Sequence, residues 1–146
     1  MSIESNIVDA LVAKVSAVSQ IKSVKFDEIK LAIEDFADHE LPAVQIWDNG
    51  IIPKHERQRV LVDWSLSLEL IMRTKVDMVV NQKALFEKAR EITLAIFEDP
   101  RLGLGSQGFV HLIYNGRITD LHLLQPNYIA RIDVTARYYD ALTGSC

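Results

Sequence analysis

The stretch VLVDWSLSLELIM, residues 60–72, decides the fold of this chain. Its even-numbered positions, from Val60 to Met72, are all apolar, whereas its odd-numbered positions are mostly polar. An alternation with a period of two predicts a β-strand that has one buried face and one wet face. The predicted strand is more than twice as long as the usual strand of about 5–6 residues. A single wet face is typical of antiparallel sheets.

A second long strand with the same alternation is predicted at residues 128–139. Shorter strands are predicted at residues 21–26 and 43–47, which are rich in β-branched and aromatic side chains. We expect these segments and the strand at 60–72 to belong to one sheet.

Two amphipathic helices are predicted at residues 3–19 and 77–98, because apolar side chains recur there at spacings of three and four. Ser2 is the expected N-cap of the first helix, and Asp99-Pro100 ends the second. A third, shorter helix is predicted at residues 28–38. The order of helices and strands predicts an α+β fold, a mostly antiparallel sheet with the two main helices packed on one face.

Residues 1–146 are expected to form a single domain, since 49% hydrophobic and 25% charged residues are ordinary for a globular protein. The formal net charge of −4, with charges interspersed, argues against attraction to a nucleic-acid backbone. The one cysteine, Cys146, cannot form an internal disulfide, which fits a cytosolic origin. We expect neither a secretory signal peptide nor a membrane helix, which needs about 20 apolar residues.

A projecting segment is predicted after the strand at residues 43–47. Asp48-Asn49-Gly50 is interpreted as a turn, because these residues tolerate the backbone conformations that turns require. Residues 51–58 follow as a polar loop. Its ionisable side chains are Lys54, His55, Glu56 and Arg57.

The run Gly103-Leu104-Gly105-Ser106-Gln107-Gly108 matches the G-x-G-x-x-G motif of dinucleotide-binding proteins. That motif requires a strand before it and a helix after it, so that the pyrophosphate meets a helix N-terminus. Here a predicted helix precedes the run and a predicted strand follows it. We therefore interpret the run as a flexible connection.

The most specific candidate for a metal site depends on a predicted hairpin with strands at residues 109–114 and 117–123. A type I′ turn at Asn115-Gly116 would pair His111 with Asp120 and place His122 on the same face. Two histidines and a carboxylate are the ligands of a facial metal site. The same face also carries apolar side chains, which favours an exposed or subunit-facing surface.

Several other side chains are expected on surfaces that contact another protein. The outer face of the strand at 60–72 carries Leu61 and Ile71, and monomers seldom leave so long an edge open. Trp47 precedes a predicted turn, and Tyr138 and Tyr139 point to opposite faces. The predicted interface with another protein consists of Trp47, Lys54, Glu56, Arg57, Leu61, Ile71, Arg137 and Tyr139.

Five segments share a pattern that extends over nearly the whole chain. They are the helix Ile7-Val8-Asp9-Ala10-Leu11-Val12, the strand entry Leu41-Pro42-Ala43-Val44-Gln45-Ile46, the strand Val60-Leu61-Val62-Asp63-Trp64-Ser65-Leu66, the helix at 83–97 and the last strand at 130–138. In this order they resemble the tail terminator (minor tail, or tail completion) proteins of long-tailed bacteriophages.

The resemblance implies a structural virion protein, not an enzyme, that forms a hexameric ring and caps the tail tube. Such a ring stops polymerisation of the tail tube protein and offers a surface to the head–tail connector protein. DNA would pass through its lumen without specific contacts, and neither a cofactor nor a membrane is implied. The expected location is the head-proximal end of the virion tail, and the host cytoplasm during assembly. By the same analogy, residues 48–59 are expected at the lumen or the tube-facing side.

Three alternatives remain open at the level of sequence. A neighbouring head–tail connector or neck protein would form a ring on the same axis. A small α+β metal- or ligand-binding domain would use the face of His111, Asp120 and His122. An intracellular adaptor would need no ring.

Overall fold

The computed structural model describes residues 2–26, 41–73, 78–105, 108–120 and 127–140. Its elements in chain order are α1 (Ile3–Ser16), β1 (Ser23–Phe26), β2 (Ala43–His55), β3 (Val60–Arg73), α2 (Met78–Phe97), β4 (Phe109–Asp120) and β5 (Asn127–Asp140). The helix predicted at residues 28–38 lies outside the described residues.

The five strands form one sheet in the order β1-β2-β3-β5-β4. Only the pair β1–β2 is parallel, and the other three pairs are antiparallel. β3 lies at the centre and pairs with β5 along its whole length, from Val60 opposite Asp140 to Arg73 opposite Asn127. The predicted α+β fold with a mostly antiparallel sheet is thereby confirmed.

One face of the sheet, here called the covered face, packs against both helices. The even-numbered residues of β3 and β5 lie on it, with Leu66 opposite Val134 and Leu68 opposite Ile132. Buried side chains of α1 (Ile7, Leu11, Val15) and of α2 (Leu85, Ala89, Ile92, Ile96) complete the core. Each of the valine, leucine and isoleucine side chains among them stabilises the fold by about 1.5–3 kcal/mol through burial.

The opposite face of the sheet, here called the open face, carries the odd-numbered residues of β3 and β5. Most of its side chains are half-exposed and polar, as Asp63, Ser65 and Thr135 illustrate. At one end this face is nevertheless closed, because Leu41, Ala43 and Ile71 form a small buried cluster.

The start of α1 follows the sequence signal, whereas the helix ends at Ser16, before the predicted residue 19. Ser2 is the N-cap of α1, and its Oγ accepts a hydrogen bond of 3.1 Å from the backbone N–H of Ser5. This bond satisfies one of the N–H groups that the first turn leaves without a helical partner. Within the described part of the chain, no helix is long and apolar enough to cross a membrane.

The prediction of a turn at Asp48-Asn49-Gly50 is wrong, because β2 continues through it. Gly50 has a positive φ of 97°, and the pairing with β3 shifts between Asp48 and Ile51, which is the mark of a β-bulge. The chain reverses only after His55, where the backbone N–H of Glu56 donates to the carbonyl of Arg59 at 2.9 Å. Residues 51–55 are therefore strand, and the loop predicted there is the outer half of a long hairpin.

The hairpin predicted around Asn115-Gly116 is also wrong. β4 passes through both residues and pairs with β5 on each side of them, with a shift between Tyr114 and Gly116. Gly116 has a φ of 128°, which an L side chain rarely adopts. The tolerance for positive φ that suits a type I′ turn here serves a second β-bulge.

Candidate assembly surfaces

The predicted metal ligands are not brought together. His111 lies opposite Arg137, whereas Asp120 lies at the far end of the same strand opposite Ile129. The two positions are nine residues apart along β4, which corresponds to roughly 30 Å of strand. His122 lies outside the described residues. Among the residues that the structure does describe, no group of three or more histidine, cysteine or acidic side chains could hold a metal ion.

The start of the glycine-rich run is held by the carboxylate of Asp99. Asp99 accepts hydrogen bonds from the backbone N–H groups of Arg101 at 3.1 Å and of Gly103 at 2.7 Å. A phosphate would need such N–H groups, and the negative charge of Asp99 opposes an anion. The backbone N–H of Leu112 also donates to the carbonyl of Pro100, which ties this connection to β4. The geometry argues against a nucleotide site.

Four of the predicted interface residues lie together on the open face beside the β2–β3 hairpin. Lys54, Leu61 and Tyr139 form one row across β2, β3 and β5, and Arg137 lies two residues along β5 from Tyr139. The guanidinium carbon of Arg59 lies 3.7 Å from the centre of the Tyr139 ring, a cation–π contact. Sequence reasoning missed Arg59, because contacts across a sheet depend on strand register.

Arg137 is already engaged within the chain. Its Nε and a terminal guanidinium nitrogen donate to the two carboxylate oxygens of Asp63 at 2.7 and 3.0 Å. These hydrogen bonds hold the pKa of Asp63 below its ordinary value, and the same carboxylate raises the pKa of Arg137. Arg137 therefore offers a partner protein its apolar stem more than an unpaired charge.

The other four predicted interface residues lie elsewhere. Glu56 and Arg57 are exposed near the hairpin turn, where the Glu56 carboxylate pairs with Arg59 at 3.2 Å. Trp47 is half-buried opposite Ser67, roughly 20 Å along β3 from Leu61. Ile71 is fully buried, so the expectation that it presents an apolar surface on the open face is wrong.

A polar network crosses the open face. The side-chain amide of Asn49 donates to Ser67 Oγ at 2.6 Å, and Ser67 Oγ donates to Asp133 Oδ1 at 2.7 Å. Arg131 Nε lies 3.2 Å from the same carboxylate oxygen. At the second bulge, the amide of Asn115 donates to Thr135 Oγ1 at 2.6 Å. Both bulges are thus anchored by an asparagine, and the network links β2, β3 and β5.

The exposed large apolar side chains lie at the two lateral margins of the molecule. In the described part of the chain they are Ile51 and Ile52 on β2, Tyr114 and Ile118 on β4, and Phe86 and Leu94 on α2. Phe86 belongs to the β4 side, because the guanidinium carbon of Arg117 lies 5.5 Å from its ring centre. Both margins are edges of the described sheet, since β1 pairs only with Ala43–Ile46 of β2. The sequence did not reveal these edges, because strand order is set by tertiary pairing.

Comparisons with known proteins give a likeness of fold. No family model matches the chain, and no curated protein matches it. The structure is similar to a chain in the solved structure of the virion of a native gene transfer agent (GTA) particle, with a TM-score of 0.53 and 13% sequence identity. The likeness covers 94% of this chain and 90% of that chain. At such low identity it concerns the fold alone.

Proposed function

We propose that this chain is a structural virion protein that forms a hexameric ring at the head-proximal end of a phage tail tube. The observation that carries the proposal is the likeness of fold, over nearly the full length of both chains, to a chain of a gene transfer agent virion. The sequence resemblance to tail terminators, which includes the entry Leu41-Pro42-Ala43-Val44 into β2, supports the same role from a separate source.

The distribution of exposed apolar side chains supports assembly. Ile51 lies on one edge of the sheet, and Tyr114 and Ile118 lie on the other. Protein edges of this kind are usually blunted by charge or covered by another element. Two different patches at opposite margins suit a head-to-tail contact between copies. Such a contact closes into a ring when a whole number of the rotations that relate neighbouring copies makes one full turn.

The outer half of the β2–β3 hairpin is the proposed contact with the tube. Residues 48–59 are all exposed, and Ile52 is 71% exposed at the centre of the outer half of β2. The hairpin is already ordered by pairing with β3, so it would lose less conformational entropy when a partner docks against it. A ring that binds the last tube subunits through these hairpins, and presents a different surface on its other side, would end polymerisation.

The proposal is tested by assembly measurements on the full chain. We expect six-subunit rings by sedimentation and by electron microscopy, at low salt and at moderate salt. When the protein is added to tube subunits of the same particle during polymerisation, we expect short tubes that carry a ring at one end. A monomer at all concentrations, together with tubes of unchanged length, would contradict the proposal.

A head–tail connector or neck protein is the alternative within the same class, because a ring on the same axis would use the same two edges. The tube experiment separates the two. A neck protein would form rings but leave growing tubes uncapped, and it would bind only to the capsid portal region.

A further inference from the structure

A cleft lies between α1 and the bulged part of β2. Its volume is about 540 Å³, which is within the range of clefts that bind ligands, roughly 300–1,000 Å³. Its acidic side chains are Glu4, Asp9 and Asp48, and its apolar wall is formed by Phe26, Ile51 and Trp64. Phe26 and Trp64 pack edge to face, with ring centres 6.3 Å apart. No lysine or arginine of the described residues lines it. We call it the acidic cleft.

Two of the three carboxylates are held in place by the fold. Asp48 Oδ1 accepts a hydrogen bond of 2.8 Å from the indole N–H of Trp64, and Glu4 Oε1 accepts one of 2.6 Å from the hydroxyl of Tyr138. Asp9 is exposed on α1. The cleft therefore combines an apolar wall with a fixed negative rim.

The opposite margin has the complementary character. Lys83, Phe86, Arg90, Leu94 and Phe97 follow one another at spacings of three and four along α2, which places them on one stripe. β4 runs beside this stripe, because Phe97 packs edge to face with Tyr114 at 6.1 Å and Arg117 lies over Phe86. We call the surface of Phe86, Arg90, Leu94, Tyr114 and Arg117 the cationic edge. Its charged side chains are Arg90 and Arg117, the exposed Glu87 borders it three residues before Arg90, and Leu94 is 57% exposed.

The two surfaces of one molecule cannot meet. β2 and β4 are separated by β3 and β5, so three strand spacings, roughly 14 Å, lie between them. The cleft is on the α1 side of the covered face, and the edge is on the α2 side. A contact between them requires two copies of the chain, related head to tail.

We propose that the cationic edge of one copy docks into the acidic cleft of the next, with Leu94 and Phe86 against the apolar wall and Arg117 or Arg90 facing Asp9. The proposal deepens the proposed function and rests on it, since this contact would be the repeating interface of the ring. The occupant is a second copy because the chain itself carries the matching charge and apolar surface. A small cationic ligand in the cleft is the competing outcome.

Cross-linking tests the contact directly. In the full chain with Cys146→Ser, which removes the one native thiol, Ser5→Cys places a thiol at the cleft and Leu94→Cys places one at the edge. With a short bismaleimide reagent we expect the double variant to give a ladder of covalent oligomers. Each single variant alone should stay monomeric on a denaturing gel, and a mixture of the two should give dimers.

The matched control is Ser16→Cys with Leu94→Cys. Ser16 is exposed on the same helix as Ser5, but eleven residues further on, roughly 16 Å away. We expect no ladder from this control. Dimers from a single variant alone would contradict the head-to-tail contact, because they would indicate that like surfaces face each other.

Charge reversal provides a second, independent measurement. Asp9→Arg or Arg117→Glu should each lower the yield of the Ser5–Leu94 cross-link on the order of tenfold, because like charges across an interface repel. The combination Asp9→Arg with Arg117→Glu should restore the yield. Both residues are exposed, so the single variants are expected to remain folded.

The outcomes separate this proposal from the proposed function. Six-membered rings without the Ser5–Leu94 cross-link would overturn the interface and leave the ring standing. The cross-linked ladder in a protein that leaves tube length unchanged would support the interface and contradict the capping role. A protein that remains monomeric at high concentration and gives no cross-link would overturn the interface. Binding of a small cation in the cleft with no cross-link would overturn it in favour of a ligand site.

Discussion

The covered and open faces of the sheet are built from the same two strands by opposite means. On the covered face, Leu68 opposite Ile132 and Leu66 opposite Val134 are almost fully buried. One residue along from Leu66, on the open face, Ser65 lies opposite Thr135, both are half-exposed, and Thr135 accepts a hydrogen bond from Asn115. The comparison teaches that the free energy of folding is concentrated on one face. The other face is left organised but wet, and so able to contact a partner protein.

Hydrogen bonds limit the free-energy cost of placing polar side chains on the open face. In the described part of the chain, no buried side-chain nitrogen or oxygen lacks a hydrogen-bond partner. A satisfied polar network is close to neutral for stability, whereas removal of one partner leaves a costly unpaired group. The following variants should show that substitutions on the covered face cost more stability than substitutions on the open face.

The largest effect is expected from Ile132→Ala on the covered face. Ile132 is fully buried between Leu68 and the helices, so its truncation leaves a cavity. We expect a loss of about 2–5 kcal/mol in the free energy of unfolding, measured by urea denaturation. The neighbouring Arg131→Ala on the open face is the matched control, with an expected loss of about 0.2–1 kcal/mol. Equal losses at the two positions would contradict the distinction between the faces.

A smaller effect is expected from Tyr138→Phe, which removes one hydroxyl from the covered face. The Tyr138 ring is fully buried, and its hydroxyl donates to Glu4 at 2.6 Å. We expect a loss of about 1–2 kcal/mol near neutral pH, because the Glu4 carboxylate loses its donor.

The same residue predicts a dependence on alkaline pH. Burial, and next the Glu4 carboxylate, raise the pKa of the Tyr138 phenol far above its ordinary value. Because the pKa is higher in the folded state, the contribution of the Tyr138 phenol to stability is fully present below its unfolded pKa, about 10. This contribution is lost as pH rises above that value. Tyr138→Phe should therefore flatten the decline in stability above that pH. Circular dichroism measures this decline. If the stability of Tyr138→Phe fell with alkaline pH as steeply as that of the wild type, the role given to the Tyr138 hydroxyl would be contradicted.

A still smaller effect is expected from the ion pair on the open face. Asp63 and Arg137 are each about one-third exposed, so solvent screens their bidentate contact. We expect a coupling energy of about 0.2–1 kcal/mol from a double-mutant cycle with Asp63→Asn and Arg137→Met.

The pKa of Asp63 is lowered in the folded state, first by the hydrogen bonds from Arg137. Its contribution is therefore present above the unfolded pKa, about 3.9, and is lost as pH falls through the folded value. Asp63→Asn should reduce the acid-induced loss of stability below about pH 4. A steeper loss would count against the pair.

The smallest effect on stability is expected from Ile52→Ser. Ile52 lies on the open side of the hairpin and is 71% exposed, so we expect a change within about 0.5 kcal/mol. If the hairpin contacts the tube, the same variant should still form rings but cap tubes poorly. The matched control is Ile46→Ser on the same strand. The Ile46 side chain is fully buried, so this variant should unfold at a much lower urea concentration. A large loss from Ile52→Ser would show that this surface is not open.

Much of the fold was predictable because its signals are local or periodic. The alternation over residues 60–72 identified β3 and the face of each side chain, and the pattern at 128–139 identified β5. Ser2 as the N-cap of α1 was likewise confirmed, since the cap depends on one side chain and the adjacent backbone. For these elements, short-range geometry and burial favour the same answer.

The candidate site was less predictable, because it depends on which strands are neighbours. Gly50 and Gly116 both have a positive φ, as a turn would require. A β-bulge uses the same backbone conformation, and the long pairings of β2 with β3 and of β4 with β5 favour the bulge at both positions. The error at Gly116 alone created the apparent metal site of His111 and Asp120. The row of Lys54, Leu61 and Tyr139 became visible only once the register was known.

By itself, the sequence determined the class of fold, the two amphipathic helices and the division of β3 and β5 into a covered and an open face. These follow from side-chain periodicity, which each segment carries alone. The tertiary pairing was needed to show that the outer half of β2 and the whole of β4 are edges, that Ile71 is buried, and that the acidic cleft and the cationic edge lie at opposite margins. The physical reason is that an edge, a cleft or a buried end exists only between segments, and depends on pairings that no single segment encodes.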